Sequence, residues 1–559
     1  MARTDTAVEI DRFLGINDDA ANSGRQGEAA AMSNFFITRE GKLQKRNGVN
    51  RISRNGVTGK VLDVVEFTTT TLATYSFFVL TETALWGYNL MTRSFAAVYN
   101  RPVTGPGAVF EKDDRLYLIG TGDFVRFDRN LGCESVEPYI PTVNIGKNSS
   151  GTVFTPYEKP NRLTSTVREE FTTDDATVYK MKYKNISDVS VTGMSPLPSY
   201  TVNSENGYIT FAYAPAPGGR ITVTYTTADL AGRDTAIKNA AGAVFFGGTG
   251  DGDLFVWNGT DNLRYYTEGG DVSYFPEDNC DTVGNGKIED MVRYYGKMLV
   301  FTTDGIYSSV FEASSEGDIS YPTTLINSDC RYLSSKVVTA DNHPVFISMS
   351  KLKRVVSTSV LGEKNVETVS GRIERTLISL GASDVFSVES RGEVWITATG
   401  SVIVWNTEQN VFYRLDGFNA AYVFDLAAGV RFIDSDGKLC VFTYGYSDID
   451  GEGNETPVSA YCYLAGLDFG LPFSVKRLND VYIETGKEET EGGEIAVVTG
   501  GAGDAATVSI TAGGVCRKKL SGERFVSLDL MIRSEGEGES LTVRKTAVGA
   551  TRLGGVKRG

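Results

Sequence analysis

The sequence predicts an all-β protein: a multi-bladed β-propeller, a small β-domain inserted into it, and a C-terminal β-sandwich. Three observations predict this. A strand–turn–strand pattern recurs along most of the chain. One long gap in that recurrence carries a strand pattern of its own. The composition is rich in Thr, with 61 Gly, 27 Tyr and 29 Phe, which suits many short strands joined by tight turns.

The recurrence reads FVLTETALW from Phe78 and YLIGTGDFV from Tyr117. It returns as VFFGGTGDGDLFVW from Val244, LVFTTDGIY from Leu299, VFISMSKLK from Val345 and VWITATGSVIVW from Val394, with a weaker copy, LCVFTYG, from Leu439. The intervals between starts are 39, 127, 55, 46, 49 and 45 residues. A four-stranded propeller blade needs roughly 40–50 residues. A single such sheet cannot bury both of its faces, whereas sheets stacked around an axis bury them and leave only short edges. The long interval is one ordinary repeat plus an insertion. No WD dipeptide or kelch pattern is present, so the prediction rests on spacing alone.

These marks divide the chain into an extended arm (1–55), a first propeller part (56–137), the insertion (138–230), a second propeller part (231–450) and the sandwich (451–559). In the arm strand signals are few, and Glu28–Phe35 is compatible with a turn or two of helix. In the insertion Tyr179, Met181 and Tyr183 alternate with Val178, Lys180 and Lys182. Further on, Tyr208–Phe211 and the alternating Ile221, Val223 and Tyr225 flank the turn PAPGG, so a compact β-domain is expected. The sandwich is introduced by DIDGEGNETP, and its strands are separated by acidic, Gly-rich loops such as GKEETEGGE and SEGEGES.

Apolar residues make up 41% and charged residues 22%, a balance that supports a buried core. The formal charge of −15 lacks the basic excess of a phosphate-gripping protein. An acidic wall would let DNA slide past without sticking. The six cysteines form no C-x-x-C pair, which argues against a zinc ribbon or a disulfide scaffold and for reduced thiols. The N-terminus, MARTDTAVEIDRF, has no apolar core of a signal peptide. The most apolar stretch, Leu72–Leu90, is broken by Thr81, Glu82 and Thr83 and reads as strand–turn–strand rather than a membrane span.

No catalytic, cofactor-binding or metal site is expected. The one histidine, His343, precedes a proline and reads as a loop residue; no G-x-S-x-G elbow accompanies it. The GTGD runs at Gly120 and Gly248 lack the Lys-Ser/Thr of a phosphate loop and read as hairpin turns at equivalent points of the repeat. Asp448-x-Asp450-x-Glu452-Gly453 starts like a calcium loop, but its twelfth position is Ser459 where a bidentate Glu belongs. Trp86, Trp257, Trp395 and Trp405 all fall in repeat strands, where core packing accounts for them.

The arm reads SGRQGEAAAMSNFFITREGKLQKRNGV. This resembles a segment of phage neck and tail proteins in which an acidic residue and an Asn precede a G-x-L-x-x-R-x-G run, here Glu28, Asn34, Gly41, Leu43, Arg46 and Gly48. Asn47 stands where that family usually has Pro. YITFAYAPAPGGRITVTY looks like β-modules of phage tail and adaptor proteins, and LAGLDFGLPFSVKRLNDVYIET like outer strands of phage propeller proteins. The family most similar in this arrangement is the tail nozzle proteins of short-tailed phages, also called tail tubular protein B.

That resemblance implies a structural virion protein of the neck or tail, made in the host cytoplasm. It implies a ring homo-oligomer, expected to be a hexamer, around a lumen through which DNA passes without sequence-specific binding. Portal, adaptor and other tail proteins would be its partners. Glu28, Asn34, Phe35, Phe36, Leu43, Lys45 and Arg46 are then candidate interaction residues, with the aromatics as anchors on a neighbouring subunit or the adaptor. The alternative reading is a carbohydrate-binding or carbohydrate-cleaving propeller used in host attachment.

Overall fold

The computed structural model describes residues 4–20, 25–70, 75–248, 250, 252–315, 319–358, 365–426, 429–486, 492–499, 504–510, 513–520 and 522–555. Strands dominate, and helix is confined to short pieces such as Thr235–Lys238 and Glu374–Leu380.

Six four-stranded antiparallel sheets and a seventh, extended one form the propeller. Blades 1 and 2 occupy 61–100 and 108–135, blades 3 to 6 occupy 242–282, 288–327, 338–368 and 384–416, and blade 7 begins at 420. The first strands of neighbouring blades touch around the ring except between blades 4 and 5, where Ile288–Tyr294 meets His343–Ser348, and Ala420–Leu426 meets Val61–Glu66 to close it. Apolar side chains from facing sheets pack into shared clusters. Phe78, Leu80 and Leu85 of blade 1 join Leu116, Leu118 and Phe127 of blade 2. Phe424, Ile433 and Leu439 of blade 7 join Phe77, Val79 and Tyr88 of blade 1. Neither face of a blade could be buried without its neighbour. Trp395 and Trp405 are fully buried and Trp257 nearly so, as packing requires.

Blade 7 is completed from the other end of the chain. Its outer strand is Val49–Arg51, paired antiparallel with Leu439–Phe442 through Cys440↔Arg51 and Phe442↔Val49. The hairpin Ser447–Ile449 and Glu455–Pro457 extends the same sheet.

The phase of the repeat differs from the sequence reading in two blades. In five copies the motif covers the second and third strands of a blade. Val244 instead lies in the first strand of blade 3, Gly242–Phe245, and Leu439 in the third strand of blade 7. The two GTGD runs are therefore not equivalent: Gly120–Asp123 turns between second and third strands, while the run at Gly248 joins the first and second. Thr249 and Asp251 lie outside the described residues. His343 is not in a loop. It opens the second strand of blade 5, with Nδ1 2.9 Å from the Val355 carbonyl oxygen and 3.2 Å from the Tyr294 hydroxyl.

The insertion holds a five-stranded and a three-stranded sheet around its own core of Val167, Phe171, Tyr179, Ile209, Ile221, Val223 and Tyr225. It is nevertheless stitched to the propeller midway. Asn161 Nδ2 donates to the carbonyls of Tyr139 and Ser273, each at 2.8 Å, and Leu163 belongs to the core shared by blades 2 and 3. An excision of the whole block would take these anchors with it.

The arm is the largest departure. The described residues of the 1–55 segment do not form an extended arm, and Glu28–Phe35 is not helical. Thr4–Ile10 pairs with Thr546–Arg552, and Ala31–Ser33 with Tyr461–Tyr463. Phe35–Ile37 and Leu43–Lys45 form a hairpin that joins the C-terminal strand at Val543. The sandwich is thus composite, with both of its sheets containing N-terminal strands. These strands pair with segments some five hundred residues away, so nothing local announces them, and three-residue strands are too short to display a period of two. One legible signal existed: in Thr4–Ile10, Val8 and Ile10 are buried while Ala7 and Glu9 are exposed.

Candidate functional site

Polar chemistry gathers at the joint between arm, propeller and sandwich and at the propeller axis. The joint contains every arm residue singled out above.

Arg46 is 1% exposed, and its guanidinium spends all of its N–H groups inside the chain. Nε donates to Asn34 Oδ1 at 2.8 Å, and Nη1 and Nη2 each donate to an Asp448 carboxylate oxygen at 2.7 Å. Nη1 also donates to the Asn47 carbonyl, Nη2 to the Asp416 carbonyl, and the group lies over the Phe418 ring. Asn34 has φ +59°, a left-handed conformation that Asn tolerates, and its Nδ2 donates to the Ser459 carbonyl at 2.7 Å. Glu28 accepts from Asn17 Nδ2 and the Arg25 N–H, and faces the Arg372 guanidinium at 3.4 Å. Phe35 and Leu43 are fully buried in the core that joins sandwich and propeller. Phe36 packs edge-on to Tyr413 and Phe442, under the Arg391 guanidinium. Lys45 is buried too; its Nζ donates to Ser534 Oγ at 3.1 Å. Burial pushes its ammonium down to about 8, against the pull of Glu539 and Glu535.

These seven residues are therefore brought together, but as an internal joint. An interface residue must be open to its partner, and six of the seven are buried against the chain's own blades and sandwich, with Phe36 partly so. The assignment of this cluster as anchors on a neighbouring molecule is corrected accordingly.

Beside the joint lies a cleft of about 600 Å³ with Asp416, Asp434, Asp448 and Asp450 in its walls. Four carboxylates in a cleft suggest acid–base or cation chemistry, but each is already committed. Asp416 receives Ser33 and Ser401 hydroxyls and Arg414 Nε. Asp434 pairs with Arg51 at 2.7 Å, Asp448 with Arg46, and Asp450 holds the turn through the Glu452 and Asn454 N–H groups. The calcium-like run is thus a pair of structural carboxylates. No group of three or more metal-capable side chains occurs among the described residues.

On the axis, Lys336 leaves the link before blade 5 and donates to the Leu62 carbonyl of blade 1 at 2.6 Å. Blades 1 and 5 are not neighbours, so this side chain bridges the channel. It lines two cavities of about 370 and about 330 Å³ that share Asp63, Lys336 and Val337. Asp290 in the first accepts the Val337 N–H at 2.7 Å and the Met291 N–H at 2.8 Å. Its carboxyl is pushed up to about 6 by burial, despite those N–H groups and Lys336. In the second, Tyr422 donates to Asp63 at 3.2 Å and packs edge-on to Phe386.

Asp290 predicts a pH signature. Its folded pKa lies above the ordinary carboxylate value, so its contribution is fully present below pH 4 and is lost as pH rises through about 6. The change is about 2 kcal/mol, at roughly 1.4 kcal/mol per unit with a discount for partial exposure. Stability measured by urea unfolding should fall over that window in the parent. Asp290→Asn should flatten this slope, and an unchanged slope would place the titration elsewhere.

No protein-family model and no curated protein matches the chain. Among solved structures, the WD40 β-propeller domain of Doa1 is 11% identical, with 72% of this chain and 97% of that one covered and a TM-score of 0.35. The AfRom2 CNH domain is 7% identical over 71% and 99%, with a TM-score of 0.31. A virginiamycin B lyase from Staphylococcus aureus is 11% identical over 46% and 98%, with a TM-score of 0.23. The architecture of this chain stands on its own sheet order and ring closure: it is an all-β protein built on a seven-bladed β-propeller.

Proposed function

We propose that this chain is a structural subunit of a phage virion, a neck or tail nozzle component that assembles into a ring around the DNA exit path. The observation that carries the reading is the placement of the two appendages. The insertion leaves the propeller between blades 2 and 3, and the sandwich covers Val411–Asp416, the outer strand of blade 6. In a ring of seven blades these positions lie half a turn apart. A subunit with different projections on opposite flanks suits head-to-tail contacts, which close into rings when the rotation allows. The arm motif, which resembles one in phage neck and tail proteins, supports the same reading in a new role: it ties sandwich to propeller through Asn34, Arg46 and Asp448.

The lumen in this proposal lies between subunits. The propeller's own axis is bridged by Lys336 and its cavities amount to a few hundred cubic ångströms, far too small for a duplex. Negative-stain images and light scattering of the purified full chain test the proposal. Closed rings with a central hole wide enough for a duplex are expected. A monomer at every concentration and ionic strength, binding neither itself nor portal and adaptor proteins, would overturn it.

A further inference from the structure

The insertion contains a buried polar cluster that the proposed function does not use. Asn144 and Lys147 lie on Thr142–Lys147, Glu169 on the neighbouring strand Thr166–Thr172, with Asn144 directly opposite Glu169. Gly146 between them has φ +66°, and the register shifts there, which turns Lys147 to the same side as Asn144. All three side chains are withdrawn from water: Asn144 and Glu169 are 0% exposed and Lys147 2%. The Phe154 and Phe171 rings face the Lys147 amine, and the Tyr225 hydroxyl reaches Glu169.

A single oxygen, Glu169 Oε2, accepts from both Lys147 Nζ and Asn144 Nδ2, the latter at 2.9 Å. The other oxygen, Oε1, is held by the Tyr225 hydroxyl and by the Lys182 N–H at 2.7 Å. Asn144 Oδ1 is buried with no hydrogen-bond partner. Burial drives the Lys147 amine toward its neutral form, against the attraction of Glu169. A purely structural ion pair gains little at such a site, because two charges lose their hydration and an amide oxygen is stranded beside them.

We propose that Lys147 and Asn144 form an intramolecular isopeptide bond, with Glu169 as the proton carrier. The neutral Nζ attacks Asn144 Cγ; the Nζ–Cγ bond forms and the Cγ–Nδ2 bond breaks. Glu169 Oε2 touches both nitrogens, so it takes a proton from Nζ as the new bond forms and passes it to the departing Nδ2, ending in the state in which it began. The nitrogen leaves as ammonia, and no oxidant, reductant or co-reactant is needed. The product is a neutral secondary amide in an aromatic setting, with the titratable amine consumed.

The test is peptide mass spectrometry on the full chain, denatured and digested with trypsin. The proposal expects no cleavage after Lys147, whose acylated side chain trypsin does not accept. The uncut peptide should be lighter than its sequence by one ammonia, with fragment ions tying the loss to the 144–147 segment. Glu169→Gln and Lys147→Arg should restore the full mass, and Glu169→Gln should also restore the cleavage. If either variant fails to fold, the parent alone decides. A parent peptide of unmodified mass, cut after Lys147, overturns the proposal. So does loss of ammonia with cleavage intact, which would mean a succinimide at Asn144.

Discussion

Arg46→Met is expected to lower the stability of the folded chain by about 3 kcal/mol, the lower end of the cost of breaking a buried charge pair from one side. The lower end applies because Asp448 keeps 23% of its side chain exposed and retains the Val49 N–H at 2.8 Å. The substitution also takes a guanidinium N–H from the Asp416 carbonyl and from Asn34 Oδ1, the latter keeping only the Asp416 N–H at 2.7 Å. Arg46→Lys should recover only part of the loss, since an ammonium cannot reproduce the two-pronged contact with Asp448. Urea unfolding at low and high salt checks both points. The loss should persist at high salt, because the pair is shielded from mobile ions. A loss that vanished at high salt, or a variant as stable as the parent, would return Arg46 to the role of a surface contact.

Removal of residues 1–55 is expected to abolish the native state rather than trim it. The deletion takes the outer strand of blade 7 and strands from both sandwich sheets. It also removes Val8, Ile10, Phe13, Ile16, Met32, Phe35, Ile37, Leu43 and Val49 from one continuous core. At roughly 1.5–3 kcal/mol for each large apolar side chain, the gross loss is about 14–27 kcal/mol, as large as or larger than the roughly 5–15 kcal/mol by which folded domains survive. The truncated chain should show no cooperative melt and should be cut by protease throughout blades 5 to 7. Supplying residues 1–55 as a separate peptide should restore protection. A truncated chain that melts cooperatively and resists protease would mean that the propeller closes without its borrowed strand.

The contrast between what the chain announces and what it conceals follows from sequence distance. Blades are local: Phe78 to Asn100 or Val394 to Asp416 fold back on themselves within a few dozen residues, so apolar runs and turn residues carry the pattern. Where a blade departs from the average, the phase slips. Blade 3 has a long first turn and an apolar first strand, and the motif there was matched one strand early. The joint was visible as residue types, since Phe35, Phe36, Lys45 and Arg46 crowd a polar stretch, but not as a direction. Nothing near Arg46 shows that its acceptor is Asp448. The Asn144, Lys147 and Glu169 cluster was missed because each residue looks like ordinary strand polarity. The one available hint is that Glu169 falls on the same face of its strand as Val167 and Phe171.

The borrowed strand has a consequence in time. Ribosomes release the chain from its N-terminus, so Val49–Arg51 emerges well before its partner Leu439–Phe442, with blades 1 to 6 between them. Throughout synthesis the early apolar residues have no place to go. Blades 1 to 6 have neighbours soon after they appear, but the ring stays an open arc with two bare flanks until the final quarter of the chain arrives. Such distant pairing makes folding slow and leaves strand edges open to other chains meanwhile. A chain that stops before Leu439 leaves Val49–Arg51 without its partner strand and cannot complete blade 7.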